Sequence, residues 1–578
     1  MNKQGHAWFR ISWLGAAAFC AGTLAGQHSK MASDLVPPGG DGSLDVIVQF
    51  KQPVSGGMSR VLRARKVPVE RHLDSIRGGA YRVSAGELRA LLDDPEVEFV
   101  SPDREVRSAG FSGSMDYGWL TVTGLLSKDA RLNYEGTGVG VAVIDSGIDS
   151  NHADFLDSSF RSRVVYRQNF VLSDDTTGDA YGHGDHVAGI IGGSGARSSG
   201  AHPNGSNYQF TYRIRGIAPK VNFLDLRALD RNGLGKDSQV IAAIQRAIQL
   251  KSQFNIRVIN LSLGRPVTVS YQNDPLCQAV QSAWQAGIVV VVAAGNEGRN
   301  NSAQTQGYAT ITAPGNSPYV ITVGAINSKS TTTRNDDVIA TYSSKGPTAI
   351  DHVAKPDLVA PGNRVDAVRA QGGQLTNTYP ANGVPISAYS TAPFNQVWDY
   401  FQLSGSSMSA AMVSGAAALL VQQNPNLTPD QVKARLMKTA TKSFPQSVTT
   451  TDVATGQTYT STHDIFTVGA GSLDVSAALA NSDLASGSAK SPVAQRDTTT
   501  NQVSLIFPSG VIWGSGVIWG SGVIWGSGVI WGSNVLNSSG VIWGSTVQGS
   551  GVIWGSGVIW GSSNPAAEAV AIAVNGEN

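Results

Sequence analysis

Three short segments carry side chains whose types suit nucleophilic chemistry. The apolar run Val139 to Ile144 delivers Asp145, followed by Ser146-Gly-Ile-Asp149, and the carboxyl end of a buried strand is where open α/β folds place their sites. A strand-end aspartate by itself more often only caps a loop. In Gly182-His-Gly-Asp-His-Val-Ala-Gly189, His183 stands at the entrance to a helix of small residues. A helix N-terminus disfavours imidazolium, so His183 tends to stay neutral and able to take a proton. His183 and His186, with Asp185 between them, also have the spacing of a metal pair, but no further ligand cluster accompanies them. Finally, Gly405-Ser-Ser-Met-Ser409 opens an apolar helix that runs to about Gln423. Its start presents the Ser407 hydroxyl together with unpaired backbone N–H groups able to hold an oxyanion. A serine there is ordinarily an N-cap; the combination of carboxylate, imidazole and hydroxyl is what points to catalysis.

The elements that must position these groups are legible too. Val139–Ile144, Val221–Leu224, Val258–Leu261, Ile288–Ala294 and Val320–Val323 are short runs rich in β-branched residues, as in strands buried on both faces. Helical stretches such as Ser238–Lys251 and Pro275–Gln285 separate them, and this alternation implies a parallel sheet sandwiched between helices. Thr428-Pro-Asp-Gln431 has the capping hydroxyl, first-turn proline and glutamine of a helix start running to about Lys438.

Around this core the chain divides further. Its 578 residues are too many for one ordinary core. Residues 1–26 have the charge-then-apolar plan of a secretory signal peptide, with Lys3 and Arg10 before the run Ile11 to Ala25. That run is shorter than the roughly 20 apolar residues a membrane span needs. Residues 44–107 read as a small α+β unit: strands at 45–50, 81–84 and 97–100, a helix-rich middle and a helix at 86–93. A Ser/Gly-rich junction, Ser108 to Ser114, ends it, as an exposed and cleavable segment would. Residues 481–508 have a linker composition. From 509 to 562 the motif Val-Ile-Trp-Gly occurs seven times without a charged residue or a proline, and residues 563–578 follow as a tail. If each copy is extended, the six-residue period puts every Val and Trp on one face and every Ile on the other, as in a β-solenoid or meander able to self-associate or bind a surface. The 43 Lys plus Arg against 42 Asp plus Glu leave a net charge of +1, so no whole-chain field exists to hold nucleic acid or an anionic membrane. Cys20 and Cys277 cannot form a disulfide framework.

Val143-Ile-Asp-Ser-Gly147, His183-Gly-Asp-His-Val-Ala-Gly189 and Gly405-Ser-Ser-Met-Ser409, in that order, resemble the subtilisin-like serine peptidases. Asn260-Leu-Ser-Leu-Gly264, Ala293-Ala-Gly-Asn-Glu297 and Lys355-Pro-Asp-Leu-Val-Ala-Pro-Gly362 fit the same family, so the resemblance covers about 115–480. It implies a three-layer α/β catalytic domain with a mainly parallel sheet, and makes residues 44–107 look like an inhibitory propeptide. It also implies Ser407 as nucleophile, His183 as general base and then acid, Asp145 as the group that orients the imidazole, and Asn296 as oxyanion donor beside the Ser407 N–H. Gly233-Leu234-Gly235 and Ser262-Leu263-Gly264 match the backbone segments that flank an extended peptide substrate. Gly295 and Ala293-Ala294 would line a roomy apolar primary pocket. Asp154 matches a carboxylate that binds structural calcium in relatives; the chemistry itself calls for no cofactor.

Three positions depart from the family pattern: Asp185 for a small hydroxyl residue, Ser406 for threonine and Ala411 for proline. A carboxylate beside His183 would raise its pKa and move the acid limb of activity upward. The stretches Ser194–Tyr212 and Gln371–Phe401 read as surface loops at the cleft rim. The expectation is therefore a secreted or cell-surface, self-processing serine endopeptidase of broad, apolar-leaning specificity. It would act on proteins and peptides, with its own propeptide as intramolecular inhibitor, no nucleic acid partner, and no membrane span once the signal is removed. The alternatives are a silent surface or adhesion protein whose function lies in the repeats, and a dedicated processing protease.

Overall fold

The computed structural model of the protein describes residues 30–39, 42–53, 60–108, 134–199, 208–301, 305–331, 333–452, 456–496, 503–506, 524–525 and 529–530. The signal segment 1–26, the junction beyond Ser108, the tail 563–578 and the repeats other than two short strands lie outside the described residues. Those two strands, Ile524–Trp525 and Val529–Ile530, pair antiparallel with Trp525 opposite Val529 and Ile524 opposite Ile530.

The N-terminal unit runs β1 (Ser43–Phe50), α1 (Arg60–Ala64), β2 (Val69–Leu73), β3 (Gly78–Ser84), α2 (Ala85–Asp93), β4 (Val97–Pro102) and β5 (Glu105–Ser108). Its sheet has the order β2-β3-β1-β4. The two faces of β1 serve different cores, as the period of two requires. Val46, Val48 and Phe50 pack with Tyr81, Leu88, Leu91 and Val97 inside the unit. Ile47, with Ala80 and Leu73, instead joins the large core of the next unit, each large apolar chain so buried contributing about 1.5–3 kcal/mol. The helix-rich middle expected between the first two strands is corrected: among its described residues it holds a five-residue helix, then β2 and a 3-10 turn at Asp74–Ile76. Val69-Glu-Arg-His-Leu73 has apolar residues only at its ends, so no alternation announces the strand.

The larger unit contains β6 (Gly140–Val143), β7 (Val164–Asn169), α3 (Gly184–Gly192), β8 (Asn222–Arg227), β9 (Leu234–Lys236), α4 (Asp237–Phe254), β10 (Ile256–Leu261), β11 (Leu263–Gly264), α5 (Pro275–Gln285) and β12 (Val289–Ala293). There follow β13 (Ile321–Asn327), β14 (Val338–Ile339), β15 (Leu358–Pro361), β16 (Val365–Val368), α6 (Gln374–Thr378), β17 (Gly383–Pro385), β18 (Val397–Leu403), α7 (Ser406–Gln423) and α8 (Pro429–Thr439). The main sheet has the order β14-β13-β12-β10-β6-β8-β7, with β15 also on β13. All its pairings are parallel except β13 with β14. This is a three-layer α/β fold. Every residue of β12, Val-Val-Val-Val-Ala, is buried, as a strand covered on both faces must be. Helix α7 is apolar all round and buried from Ser406 to Val421, which makes it the central helix of the domain. Asp274 caps α5 and Thr428 caps α8, each with proline in the first turn.

Three expectations change here. Ser194–Tyr212 and Gln371–Phe401 are not simple rim loops: Tyr389 and Tyr400 are fully buried, in a cluster with Ile214, Val384 and Ile386 that Tyr208, Phe210 and Trp398 cover. The second stretch ends in β18, which pairs antiparallel with β16 and β17. The stretch 481–508, read as a linker, lies along the domain between 489 and 494. Ala489 N–H donates to Asp430 Oδ1 at 2.6 Å, and the Ser491 hydroxyl donates to Asp357 Oδ1 at 2.6 Å. Asp357 itself sits between the buried ammonium groups of Lys355 (2.6 Å) and Lys433 (3.0 Å).

Candidate active site

β6 ends at Val143, so Asp145 emerges just past the carboxyl edge of the sheet. Its Oδ1 accepts the Ser146 N–H at 2.8 Å and stands 2.7 Å from His183 Nδ1. His183 occupies the N-cap position of α3 without using its ring as a cap, which leaves the imidazole for Asp145. An Nδ1–H held by a carboxylate makes Nε2 the lone-pair nitrogen. Nε2 is buried and has no hydrogen-bond partner among the described residues. Ser407 lies in the first turn of α7, and its hydroxyl donates to the Ser262 carbonyl at 3.1 Å. His183 and Ser407 are both 0% exposed, so the site is closed to solvent in this arrangement. Helices α3 and α7 pack on each other, with Gly415 against the Ile191 carbonyl.

The start of α7 is built by glycine and a polar web. Gly405 has φ 147 and ψ 163, a region open essentially only to glycine. The Asn296 side-chain carbonyl accepts both the Ser406 N–H (2.9 Å) and the Ser406 hydroxyl (3.0 Å). With Oδ1 tied there, the Nδ2 amide is the end left to donate. The Ser406 hydroxyl also accepts the Gly295 N–H at 3.1 Å. Ser406 therefore orients the amide of Asn296, a role that replacement of threonine by serine preserves and that no sequence pattern suggested. Behind it, Ser414 Oγ donates to Asn260 Oδ1 (2.8 Å), Asn260 Nδ2 to Ser262 Oγ (2.9 Å), and Ser262 Oγ to the Ser407 carbonyl (3.0 Å).

The two segments expected to flank a substrate come together around a strand of this same chain. β5 lies between β9 and β11, antiparallel to both. Val106 stands opposite Gly235, Arg107 opposite Leu234 on one side and Gly264 on the other, and Ser108 opposite Leu263. Gly233 sits in the turn before β9, its N–H bonded to the Asp230 carbonyl. N-terminal contacts steady this strand: Asp103 accepts the Ser238 N–H at 2.8 Å at the start of α4, where a carboxylate is favoured by the helix dipole. Gly295 is shape-critical, since a Cβ added to it would lie 2.8 Å from Thr312 Cγ2 and 2.7 Å from Ser344 Oγ. A Cβ on Gly264 would lie 2.5 Å from Thr312 Oγ1. Thr312 thus fits between the two glycines.

Asp154 is buried, but its surroundings do not fit a calcium ion. Its Oδ1 accepts the Arg197 N–H and its Oδ2 the Tyr400 O–H, both at 2.9 Å. Its carbonyl accepts the Arg163 guanidinium at 2.6 Å, so donors and a fixed cation stand where a metal would need lone pairs. Among the described residues no group of three or more His, Cys, Asp or Glu could hold a metal. His186 is a structural tie: burial pushes its pKa down to about 3, and Nε2 lies 3.0 Å from the Val365 and 3.1 Å from the Phe401 carbonyl.

Asp185, expected to act on His183, is tied elsewhere. Its Oδ1 accepts the Asp149 N–H at 2.7 Å. Burial, and then the neighbouring Asp179 carboxylate, push the Asp185 carboxyl well above the usual range, which disfavours its charged form.

Residues 136–471 match the model of the Subtilase family. The chain is 36% identical over 312 residues to serine protease AprX of Bacillus subtilis (strain 168), covering 53% of this chain and 62% of that protein. It is 32% identical over 402 residues to subtilisin E of the same strain, covering 68% of this chain and 84% of the relative. The fold is also similar to the crystal structure of fervidolysin from Fervidobacterium pennivorans, described as a keratinolytic enzyme related to subtilisin. There the TM-score is 0.56 at 19% identity, over 82% of this chain and 66% of the other. Among the described residues no helix is long and apolar enough to cross a membrane.

Proposed function

The chain belongs to the subtilase family, and from that premise we propose that it is a secreted serine endopeptidase made as a self-processing zymogen. The Ser407 hydroxyl turns from the Ser262 carbonyl to His183 Nε2, its O–H bond breaks as the proton passes to that nitrogen, and Oγ attacks the scissile carbonyl. Asp145 stabilises the imidazolium that results. Charge developing on the substrate oxygen is met by Asn296 Nδ2 and the Ser407 N–H at the N-terminus of α7. His183 returns its proton to the leaving amine, and water, activated by the same nitrogen, hydrolyses the acyl-enzyme. Every group the reaction needs is a side chain or backbone group of this chain.

The observation that carries this reading is the three-stranded sheet β11-β5-β9. An extended segment with its main chain bonded on both sides is how a peptide substrate is held, and β5 leads directly into the Ser/Gly-rich junction. Residues 44–107 then act as the propeptide, occupying the groove until the chain is cut beyond Arg107. Secretion rests on the charge-then-apolar segment 1–26.

The direct test is to incubate purified protein with a fluorophosphonate, which reacts with activated serines, and to measure intact mass. Label on one serine in a species that has lost its N-terminal unit supports the reading. Folded protein that stays unlabelled, even after another protease has removed that unit, refutes it. Asn296→Ala is expected to lower kcat on a peptide anilide about 10²–10³-fold with little change in KM, a magnitude taken from a subtilisin itself. Specificity should be apolar with its depth set by Thr312. Thr312→Gly is expected to raise kcat/KM for a P1 phenylalanine relative to a P1 alanine by about tenfold or more, read from paired peptide substrates.

A further inference from the structure

The turn leading into His183 is held by a carboxylate that no step of the reaction uses. Asp179 is buried. Its Oδ1 accepts the Ser146 hydroxyl at 2.8 Å, the Gly182 N–H at 2.8 Å and the Tyr181 N–H at 3.2 Å. Its Oδ2 accepts the Asp185 N–H at 2.8 Å. Ser146 follows Asp145 in the chain, and Tyr181, Gly182 and Asp185 bracket His183, so one side chain joins the two segments that carry the catalytic pair. Helix α3 needs this help. His183 is its N-cap residue yet makes no side-chain cap, and the next orphan donor, Gly184 N–H, goes to the Ser146 hydroxyl at 3.0 Å. Asp179 thus supplies the capping from outside the helix, and the imidazole is left to face Asp145.

We propose that Asp179 is a positioning residue: its carboxylate clamps the Ser146 loop to the entrance of α3 and thereby fixes the His183 ring on Asp145. The proposal rests on the serine peptidase reading.

The charge state follows from the neighbours. His183 faces Asp145 and interacts with His186, while Asp185 on α3 interacts with Asp179, with Asp149 on the loop after β6 and with Asp225 on β8, and Asp225 with Arg167 on β7. His186 is neutral. Burial raises the Asp225 carboxyl to about 6, while Arg167 at 3.1 Å opposes the rise. Burial raises Asp179 as well, but four donors converge on it. Asp185 Oδ2 by contrast has no partner among the described residues. Only donors face the Asp179 oxygens among the bonds described, an arrangement that favours its carboxylate form.

Asp179→Asn keeps the shape, removes the charge and turns an amide N–H against the Asp185 N–H. Active sites are counted by burst titration with an acylating ester, and kcat is expressed per titrated site. The expected result is a fall in kcat of about 10- to 100-fold, as for a slightly misplaced catalytic group, with KM within about twofold. The acid limb of kcat/KM should move to lower pH, because loss of a nearby anion favours neutral imidazole. A merely structural role would reduce the titratable fraction or Tm and leave both readouts unmoved, which would overturn the proposal. Ser146→Ala removes the hydroxyl that links the two segments, which also bonds Asp145 Oδ1 at 3.3 Å and the Gly184 N–H at 3.0 Å, and decides the matter if Asp179→Asn does not fold. A several-fold loss in kcat per site supports the clamp, and an unchanged kcat overturns it. Wild-type protein that gives no burst would overturn the peptidase reading itself, and the proposal with it, a result distinct from either variant behaving like wild type.

Discussion

Ser407→Ala is expected to lower turnover about 10⁶-fold, the loss seen when a subtilisin loses its nucleophile, and to leave the chain full length with its N-terminal unit attached. The reason is local. Among the described bonds, Ser407 is the hydroxyl in the first turn of α7 that bonds the backbone of the segment 262–264 beside β5, donating to the Ser262 carbonyl. The neighbouring Ser406 hydroxyl is committed to Gly295 and Asn296 and cannot substitute. The Ser409 hydroxyl is turned away onto the Ala360 carbonyl at 2.9 Å. Removing one oxygen leaves the fold intact, since α7 is buried by its apolar residues. The variant should therefore match wild-type precursor in Tm while failing to process and failing to take a fluorophosphonate label. Processing of the variant at the wild-type rate in purified form would mean that another group cuts the chain.

Asp145→Asn should cost about 10⁴-fold in kcat, the magnitude of the corresponding change in a chymotrypsin-like enzyme. Asp145 Oδ1 takes the Ser146 N–H and His183 Nδ1, while Oδ2 is buried without a partner among the described residues. An asparagine has two placements here, and both fail. With its oxygen in the Oδ1 position, the developing imidazolium has no counter-charge and a buried amide N–H goes unpaired. With its nitrogen there, the imidazole proton is driven to Nε2, the atom that must accept from Ser407. The second-order rate of fluorophosphonate labelling measures the loss without reference to substrate, and a drop of less than about tenfold would remove Asp145 from the catalytic pair.

Much of this site was legible in the sequence because its key residues announce themselves locally. Asp145 follows a β-branched run, and His183 and Ser407 each open a helix of small residues after a glycine. The buried strands of the main sheet carried the same kind of signal. What stayed hidden is what forms only when distant segments meet. Ser406 orients Asn296 across 110 positions, and Ser491 reaches Asp357 across 134; neither contact leaves a periodic trace. Asp179 lies only four residues before His183, yet nothing in Gly178-Asp-Ala-Tyr181 separates a clamp from an ordinary loop carboxylate. Asp185 shows the same limit: its position suggests a charge beside His183, while burial with a like neighbour, which no local pattern reveals, pushes its carboxyl well above the usual range. Tyr208 and Phe210 in one stretch, and Tyr389, Trp398 and Tyr400 in another rich in Gly and Thr, read as parts of loops, although their rings gather in a core.

The placement of β5 between β9 and β11 also has a kinetic consequence under the proposed reading. A tethered strand faces its groove at an effective concentration in the millimolar range, whatever the bulk concentration. Dilution alone therefore does not switch the molecule on. Once the tether is cut, the freed unit must dissociate and be destroyed, and the molecules able to destroy it are those already released. Activity in a fresh preparation should then rise after a lag that shortens as protein concentration increases, an autocatalytic ignition rather than a first-order awakening.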